Sequence, residues 1–488
     1  MKLTVPDRSG TQQPGLRDVL SSGTLHFMGI GGAGMCALAE AIVRHGGRVT
    51  GCDLERGDSI KPLERLGVRV WPSHDPDHAE GAIGLVVSSA ISPDHPEVEA
   101  ALGAGIPVWK RAQALGEWVN PGRVVAVAGT HGKTTTTAMV TEIITCAGWD
   151  PTGFVGGWVA GWEGHLRPGS DDLFVVEADE YDRSFHHLKP AVAIITNMDA
   201  DHLDIYGDLT GVRAGFTRFL QGVREDGTVL VCADDPGSAS LLPWLSVNAR
   251  SFGFSAGSQL RGVEFAADGG GTHFRIVEDG FDRGRVQLRL PGRHNALNAL
   301  AAAAAARTLG IEWTIIRDSL ACFSGVDRRF QLLGEAREVS LVDDYAHHPT
   351  EIDAAISTAR SVYPKSRLVA VFQPHLYTRT RDFSQEFGRA LAKADVVWVT
   401  EVYPAREPPL PGVDGALVAR SVDEASREQG GEPVEVHVHA DLPTLAERLA
   451  AYLRPCDVCL TLGAGSIDTV GPEVLERLLK SEATVPHA

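Results

Sequence analysis

Basic charge and long apolar runs are both scarce in this chain of 488 residues. Lysine and arginine number 45 against 63 acidic residues, a net charge of −18, so nucleic acid and anionic membranes are not expected as partners. The alanine-rich run ALNALAAAAAA at 296–306 is shorter than the roughly 18 apolar residues that a membrane span needs. The polar stretch 1–15 lacks the apolar core of a signal peptide. We therefore expect a cytoplasmic protein.

Cysteine is also sparse, and its seven residues are scattered rather than arranged as a disulfide framework. Only Cys456 and Cys459 form a CxxC pair. This pair runs into an apolar strand and has no second CxxC or histidine pair nearby. Two thiols beside a buried strand are therefore favoured over a zinc or redox centre. Such cysteine usage indicates a reducing compartment.

Short apolar runs alternate with helical patterns along most of the chain, and glycine or proline marks the junctions. This alternation is typical of βαβ units and predicts an α/β fold with parallel sheets. Breaks at VNPGR and FSGVDRRF divide the chain into three predicted domains, 1–119, 120–325 and 326–488. Within the central domain, alternating strands and Gly/Asp turns at 228–290 predict an antiparallel portion.

The stretch HFMGIGGAGM at 26–35 is an apolar strand that ends in a GxGxxG turn. Its glycines would let a pyrophosphate approach the backbone at the N-terminus of the following helix. These glycines are Gly29, Gly31, Gly32 and Gly34. Alone, the turn is typical of a Rossmann-like dinucleotide-binding domain.

A second phosphate loop, VAVAGTHGKTTTT, follows at 125–137. It departs from a strict Walker A motif because Val127 stands where the first glycine belongs. The remaining elements still indicate a P-loop, in which backbone amides and the lysine bind phosphates and the next hydroxyl faces Mg²⁺. The loop residues are Gly129, Thr130, His131, Gly132, Lys133, Thr134 and Thr135.

Acidic side chains follow the next two apolar strands and are candidate metal ligands. Glu177 ends the strand LFVVE, where a Walker-B-like carboxylate is expected beside the P-loop. The stretch TNMDADHLD at 196–204 places His202 among aspartates. Since Mg²⁺ prefers oxygen ligands, Thr134 and Glu177 suit one ion, whereas His202 is either a ligand of a second ion or a structural histidine.

Taken together, these motifs resemble those of the Mur ligases of bacterial cell-wall synthesis. GTHGKTTTT, EADE, TNMDADHLD, GRHNALNA, VDDYAHHPTE and FQPHLYTRTRDF occur in the family's order, and the resemblance covers about residues 25–470. MGIGGAGM and YAHHPTE are most similar to the branch that adds L-alanine to UDP-N-acetylmuramate. The resemblance implies that the first loop holds the UDP of the substrate and the second holds ATP.

The family also implies roles for individual residues. UDP-substrate contacts are expected from the first-loop glycines and Asp53, with His74, Ser88 and Arg111 as looser candidates. ATP contacts are expected from His294, Asn295, Asn298 and Asp344, with Arg329 rather than Arg328 at the γ-phosphate. Lys133 and His202 would be catalytic, the latter on a second Mg²⁺.

The binding site for the L-alanine carboxylate is expected among a set of polar residues near the start of the third domain. Arginine suits a carboxylate because its guanidinium group binds both oxygens. Leu376 replaces the arginine that is usual in the family after the histidine of FQPHL, which leaves Arg379 as the main candidate and Arg381 as the next. The set is Tyr345, His347, His348, His375, Arg379 and Arg381.

Four other interpretations account for less of the sequence. A nicotinamide dehydrogenase explains only 26–53, and a P-loop motor or switch explains only 125–137. A non-catalytic nucleotide-binding regulator does not need YAHHPTE. The nearest alternative is the sibling recycling ligase that attaches a whole tripeptide to UDP-N-acetylmuramate. For the oligomeric state we expect a monomer or a weak homodimer.

Overall fold

The computed structural model describes residues 15–55, 57–245, 247–268, 271–405, 407–430 and 433–483. The expectation about a signal peptide therefore lies, apart from residue 15, outside the described residues. Three separate sheets with helices between successive strands confirm the predicted three-domain α/β architecture. None of the helices within the described ranges is both long enough and apolar enough to cross a bilayer.

The N-terminal domain contains a five-stranded sheet of order β3-β2-β1-β4-β5, in which every pair is parallel. Its strands are β1 (Thr24–Met28), β2 (Arg48–Cys52), β3 (Arg69–Trp71), β4 (Ala82–Val87) and β5 (Val108–Lys110). Its helices are α1 (Leu16–Val19), α2 (Ala33–Arg44), α3 (Lys61–Arg65), α4 (Pro96–Gly103) and α5 (Arg111–Val119). The central strand β1 is buried and ends directly at the first glycine loop.

The central domain contains a ten-stranded sheet of order β15-β14-β13-β12-β11-β10-β6-β9-β7-β8. Its strands are β6 (Arg123–Ala128), β7 (Thr152–Val159), β8 (Gly164–Arg167), β9 (Leu173–Glu177), β10 (Val192–Ile195), β11 (Thr228–Cys232), β12 (Asn248–Gly253), β13 (Leu260–Asp268), β14 (Gly271–Glu278) and β15 (Phe281–Leu288). Its helices are α6 (Lys133–Cys146), α7 (Leu203–Tyr206), α8 (Leu209–Leu220), α9 (Pro236–Ala239), α10 (Arg293–Thr308) and α11 (Trp313–Cys322).

The antiparallel portion of this sheet is confined to its two ends. β11 and β12 pair in parallel, so the expectation for 228–290 is wrong for the first part of that range. β14 and β15 are joined by Asp279 and Gly280, both at positive φ, and a two-residue hairpin requires antiparallel strands. At the opposite end, β7 and β8 form a second antiparallel pair, which the sequence analysis did not identify.

The third domain contains a six-stranded sheet of order β16-β17-β21-β18-β19-β20, parallel except for the pair β16–β17. Its strands are β16 (Gln331–Ala336), β17 (Val339–Asp344), β18 (Arg367–Phe372), β19 (Val396–Val399), β20 (Glu435–Val438) and β21 (Asp457–Leu462). Its helices are α12 (Pro349–Val362), α13 (Tyr377–Asp382), α14 (Ser384–Leu391), α15 (Gly415–Glu428), α16 (Leu442–Tyr452) and α17 (Val470–Ala483).

The described chain divides into two compact units. The first unit comprises the residues up to Glu264 together with Phe274–Val286 and Leu297–Val326, and the second comprises Phe265–His273, Gln287–Ala296 and the residues from Asp327 onward. In the first unit, helix α2 packs on the β7–β8 hairpin, and one apolar core includes buried side chains of both domains, such as Leu38 and Phe154. This packing joins the domains that carry the two phosphate loops.

Candidate active site

The first glycine loop lies between β1 and α2 and is shaped by close contacts. The amide of Gly31 donates to Asp53 Oδ2 at 2.7 Å, so this carboxylate organises the loop from the end of β2. Gly29 has a φ of +74°, and a Cβ there would lie 2.9 Å from the Cβ of Ser88. A Cβ on Gly34 would lie 2.9 Å from Nη1 of Arg111. The structure therefore brings together most of the residues predicted for the UDP site.

His74 is placed differently from the other UDP-site candidates. Its Nδ1 lies 3.0 Å from the thiol sulfur of Cys52, and its ring packs edge-on against His95 at 5.3 Å. Burial lowers the pKa of His74. The residue therefore supports the end of β2 from within the domain.

A cavity of about 230 Å³ opens in front of the first glycine loop. One wall comes from the N-terminal domain and includes Gly32, Gly34 and Arg111. The opposite wall comes from the central domain and includes Phe154 to Gly156, Glu177 and Asp179. A molecule bound at the first loop thus faces the carboxylate predicted beside the P-loop.

The second phosphate loop connects β6 to α6, as the sequence predicts. Gly132 precedes the helix in a left-handed conformation with φ of +80°, and a Cβ there would lie 2.4 Å from Oδ1 of Asn298. The side chain of Thr196 donates to the carbonyl of His131 at 2.7 Å, and Asn197 accepts from the His131 amide at 2.8 Å. The end of β10 thereby fixes the loop.

Other loop residues are held in the same way. Thr130 Oγ1 accepts from the amide of Asp199 at 2.9 Å, and Thr135 is buried in the first turn of α6. The N-terminal amides of this long, buried helix end at the loop, an arrangement that favours anions.

Lys133 is enclosed and paired with a residue that sequence analysis missed. Its Nζ lies 2.8 Å from Glu180 Oε2 and donates to the carbonyls of Gly129 and Thr130 at 2.7 and 3.0 Å. Burial alone would lower the pKa of Lys133, but the surrounding carboxylates, Glu180 foremost, outweigh it and raise that pKa. Lys133 therefore keeps its positive charge. The EADE motif contains Glu180 three residues after Glu177, and that spacing was the available signal.

The residues predicted to hold Mg²⁺ fall into two groups. Thr134 Oγ1 donates to Glu177 Oε1 at 3.1 Å, and the other carboxylate oxygen accepts from the Gly156 amide at 2.6 Å. This hydroxyl and carboxylate form the oxygen-rich set that Mg²⁺ prefers. His202 Nε2 instead lies 3.6 Å from Glu180 Oε1, in a backbone conformation with φ of +53°.

Three of the residues predicted to contact ATP lie in the first turns of helix α10: His294, Asn295 and Asn298. Asn295 donates from Nδ2 to the carbonyl of Pro291 at 2.8 Å, whereas Asn298 lies against the P-loop glycine. His294 is partly buried, and this burial together with the charge of Arg329 lowers its pKa to about 4. His294 is therefore neutral at physiological pH.

In the third domain, the two adjacent arginines of VDRRF have different surroundings. Arg328 donates to Asp343 Oδ2 at 2.8 Å and to the carbonyl of Gly463 at 2.7 Å. Arg329 has a longer ion pair of 3.8 Å with Glu351, and the guanidinium groups of both arginines lie 5.2 Å from the centre of the Tyr345 ring. Arg328 thus ties strands together, which favours Arg329 as the ligand-binding member of the pair.

Asp344 ends β17 and accepts hydrogen bonds from the amides of Phe330 and Ala346, both at 2.8 Å. Burial raises the pKa of Asp344 to about 6, although Arg329 opposes the shift. These two hydrogen bonds therefore fix the backbone of the VDDYA segment.

Aromatic rings connect the candidates of the acceptor site. His347 packs edge-on against Tyr345 at 5.2 Å and against His375 at 5.6 Å, and His375 stacks on Tyr403 at 5.7 Å. His348 belongs to a different environment, because it caps helix α12 and is buried against Phe383. The HPTE sequence, with proline and glutamate after the cap, could have indicated this role.

The two arginines on α13 differ in exposure. Arg379 is 7% exposed, whereas the side chain of Arg381 is 56% exposed and pairs with Asp382 at 2.6 Å. Leu376, which precedes the helix, has a φ of +68°, a strained value for a branched residue. The substitution noted in the sequence thus coincides with an unusual backbone turn.

Comparisons with known proteins agree with this geometry. Three family models match the chain in order: "Mur ligase family, catalytic domain" over 24–123, "Mur ligase middle domain" over 127–306 and "Mur ligase, glutamate ligase domain" over 328–465.

Curated relatives match over nearly the whole length. The UDP-N-acetylmuramate–L-alanine ligase of Syntrophobacter fumaroxidans is 39% identical, with 94% of this chain and 96% of the relative covered. That of Halorhodospira halophila is 44% identical, with 91% of each chain covered. The crystal structure of the UDP-N-acetylmuramate-alanine ligase from Thermotoga maritima has a TM-score of 0.79 at 30% identity, covering 94% of this chain and 99% of that one. The protein described here belongs to the Mur ligase family.

Proposed function

We propose that this protein joins L-alanine to the carboxylate of UDP-N-acetylmuramate while ATP is converted to ADP and phosphate, in peptidoglycan precursor synthesis. The observation that carries the proposal is the cavity whose walls include the first glycine loop and Glu177. A nucleotide sugar bound by its pyrophosphate at that loop extends toward the P-loop side. The chain has two phosphate loops because the reaction joins a UDP-linked molecule with the help of ATP.

The reaction proceeds in two steps. The muramate carboxylate attacks the γ-phosphorus of ATP, the bond to the ADP oxygen breaks, and an acyl phosphate forms. The amine of L-alanine then attacks the acyl carbon, phosphate leaves, and the amine loses a proton. Phosphoryl transfer needs mainly positioning and charge neutralisation, for which the largely enclosed, protonated Lys133 is suited.

Thr134 and Glu177 would hold Mg²⁺, and a bound Mg²⁺ neutralises charge on the phosphates. Their hydroxyl and carboxylate oxygens and the half-exposed position of Glu177 fit that ion. We assign Glu180 as a positioning residue, because its carboxylate orients Lys133 and lies near His202. His202 remains the candidate for a second ion.

Arg329 and Asp344 would bind ATP, and Asn298 and His294 would line its base. Arg379 is the preferred partner of the L-alanine carboxylate, because it is buried whereas Arg381 is not. We further propose that the enzyme acts in a reducing, cytoplasmic compartment, in line with seven unpaired cysteines, and as a monomer or weak homodimer.

Lys133→Ala tests the division of labour between the two loops. We expect phosphate release to be abolished while calorimetry shows UDP-N-acetylmuramate affinity nearly unchanged, because the UDP site is made by other residues. A collapse of UDP-sugar affinity would refute separate sites.

NADH should show no saturable binding at micromolar concentrations, because the first loop is proposed to bind UDP.

The recycling ligase is the second candidate, and the substrate distinguishes it. A murein peptide ligase from Psychrobacter arcticus shares the fold, with a TM-score of 0.69 at 24% identity. Phosphate release that depends on L-alanine supports our proposal, whereas release that depends on a tripeptide and not on L-alanine supports the alternative.

A further inference from the structure

A second group of chemically reactive side chains lies inside the N-terminal domain. His26 in β1, Cys52 at the end of β2, His78 and Glu97 in α4 each offer a ligand atom, and these four atoms lie within 4.8 Å of one another. His26, Cys52 and Glu97 are fully buried. The four residues come from separate segments of the chain, so the fold itself assembles the group. The proposed reaction uses none of them.

Their spacing is close to that of the ligands in a tetrahedral metal centre. His26 Nε2 lies 2.9 Å from Glu97 Oε1, and Cys52 Sγ lies 3.5 and 3.7 Å from the two oxygens of Glu97. Ligands bonded to one Zn²⁺ at about 2.0–2.3 Å lie roughly 3.3–3.8 Å from one another. Small adjustments would therefore bring all four atoms onto one ion.

Two of the imidazole nitrogens are not satisfied by hydrogen bonds. Within the described ranges, neither His26 Nε2 nor His78 Nδ1 has a hydrogen-bond partner, although both are buried. His26 Nε2 does approach Glu97 Oε1 to 2.9 Å, but that oxygen belongs to the same group of four residues. A buried polar atom without a partner is costly, and a bound cation would relieve that cost.

We propose that His26, Cys52, His78 and Glu97 form a zinc site behind the first glycine loop. Thiolate, imidazole and carboxylate are all ligand types that Zn²⁺ accepts, and four protein ligands would leave no open position on the ion. Binding forms the zinc–sulfur bond, and the thiol proton passes to solvent. His74, 3.0 Å from Cys52 Sγ, supports the thiolate from outside the ligand set.

The site is connected to the phosphate loop through the backbone. The carbonyl of Cys52 accepts hydrogen bonds from the amides of Gly29 and Ile30 at 2.9 and 3.1 Å. Zinc would fix Cys52 and, through it, the start of the loop. The metal would thus act as a structural clamp on the carboxyl end of the first sheet.

Cobalt substitution tests the site without any substrate, so its outcome does not depend on the proposed activity. The full-length protein is stripped with a chelator and titrated with Co²⁺ in excess Mg²⁺, which occupies the oxygen ligands near the P-loop. We expect a thiolate-to-cobalt charge-transfer band at one equivalent. The band should be lost in Cys52→Ser and retained in Cys456→Ser, whose thiol is exposed and belongs to the CxxC pair.

Zinc affinity, measured by competition with a chromophoric chelator, gives the second readout. Cys52→Ser and His78→Phe should each weaken binding more than about 100-fold. Phenylalanine preserves the stacking of residue 78 on Trp71, at 4.5 Å in the wild type, so this variant is expected to fold without metal. Absence of the band in the wild type, its persistence in Cys52→Ser, or equal zinc affinities in the wild type and both variants would overturn the proposal.

Discussion

Replacement of Arg379 by alanine is the sharpest test of the acceptor site. Arg379 and Arg381 lie two residues apart on α13, so their side chains point about 200° apart around the helix axis. Arg379 is buried and would bind a carboxylate with little screening, whereas Arg381 is largely exposed to solvent. The two positions form a matched pair on one helical turn.

The expected effect follows from this difference in burial. Loss of a charge-assisted, bidentate contact in a closed site costs about 2–4 kcal/mol, or roughly 30- to 1,000-fold in the KM for L-alanine. Arg381→Ala should change that KM by less than about threefold, because exposed ion pairs contribute little. The KM values for ATP and the UDP-sugar should remain near those of the wild type in both variants.

Steady-state phosphate release at varied L-alanine provides the KM values, and rapid quenching with borohydride traps the acyl phosphate. Arg379→Ala should still form that intermediate, since its formation needs only the other two substrates. An unchanged KM would place the carboxylate site elsewhere, with Arg381 the next candidate. Failure to trap the intermediate would assign Arg379 to phosphoryl transfer.

Three further outcomes are expected. Gly132→Ala should raise the KM for ATP more than about tenfold, because a Cβ there would lie 2.4 Å from the Asn298 side chain. The control is Gly148→Ala, just beyond the other end of α6, where φ is also positive but no atom lies close. It should add only backbone strain and leave the KM for ATP unchanged. Glu180→Gln should lower both the Tm and kcat, because the largely enclosed ammonium of Lys133 loses its charged partner. An unaltered kcat would remove Glu180 from the site. As the pH is raised from 4 to 6, the Tm of Asp344→Asn should rise by a few degrees relative to that of the wild type. The folded-state pKa of Asp344 is about 6, so in this range the native wild type binds more protons than its unfolded chain and loses stability as the pH rises. Parallel Tm profiles of the two proteins would contradict the burial argument.

Much of the architecture was predictable because strand-ending motifs carry strong local signals. β1, β6 and β9 each end in a glycine turn or an acidic residue, and the ends of β1 and β9 lie at one cavity. The β7–β8 hairpin was missed because glycines such as Gly156 and Gly157 weaken its strand pattern. Yet this hairpin forms one wall of the cavity.

The pairing of side chains was harder to predict from the sequence than the order of the strands. Glu180 was present in a recognised motif, but its contact with Lys133 depends on a turn of 3₁₀ helix after β9 that no periodicity marks. His348 was grouped with the other histidines of its motif because sequence proximity does not show that it caps α12. Residue type indicated the chemistry, and tertiary packing decided which member of each set faces the site.

The cavity between the first glycine loop and Glu177 also fixes a length. Both walls belong to one compact unit, and α2 is packed against the hairpin that forms part of the far wall. A nucleotide sugar that binds by its pyrophosphate at the loop, as proposed above, would therefore span a fixed distance to the Glu177 carboxylate. A UDP-sugar without the lactyl group, which carries the muramate carboxylate, should bind at the loop but should not reach Glu177. It should therefore compete with the substrate without being phosphorylated.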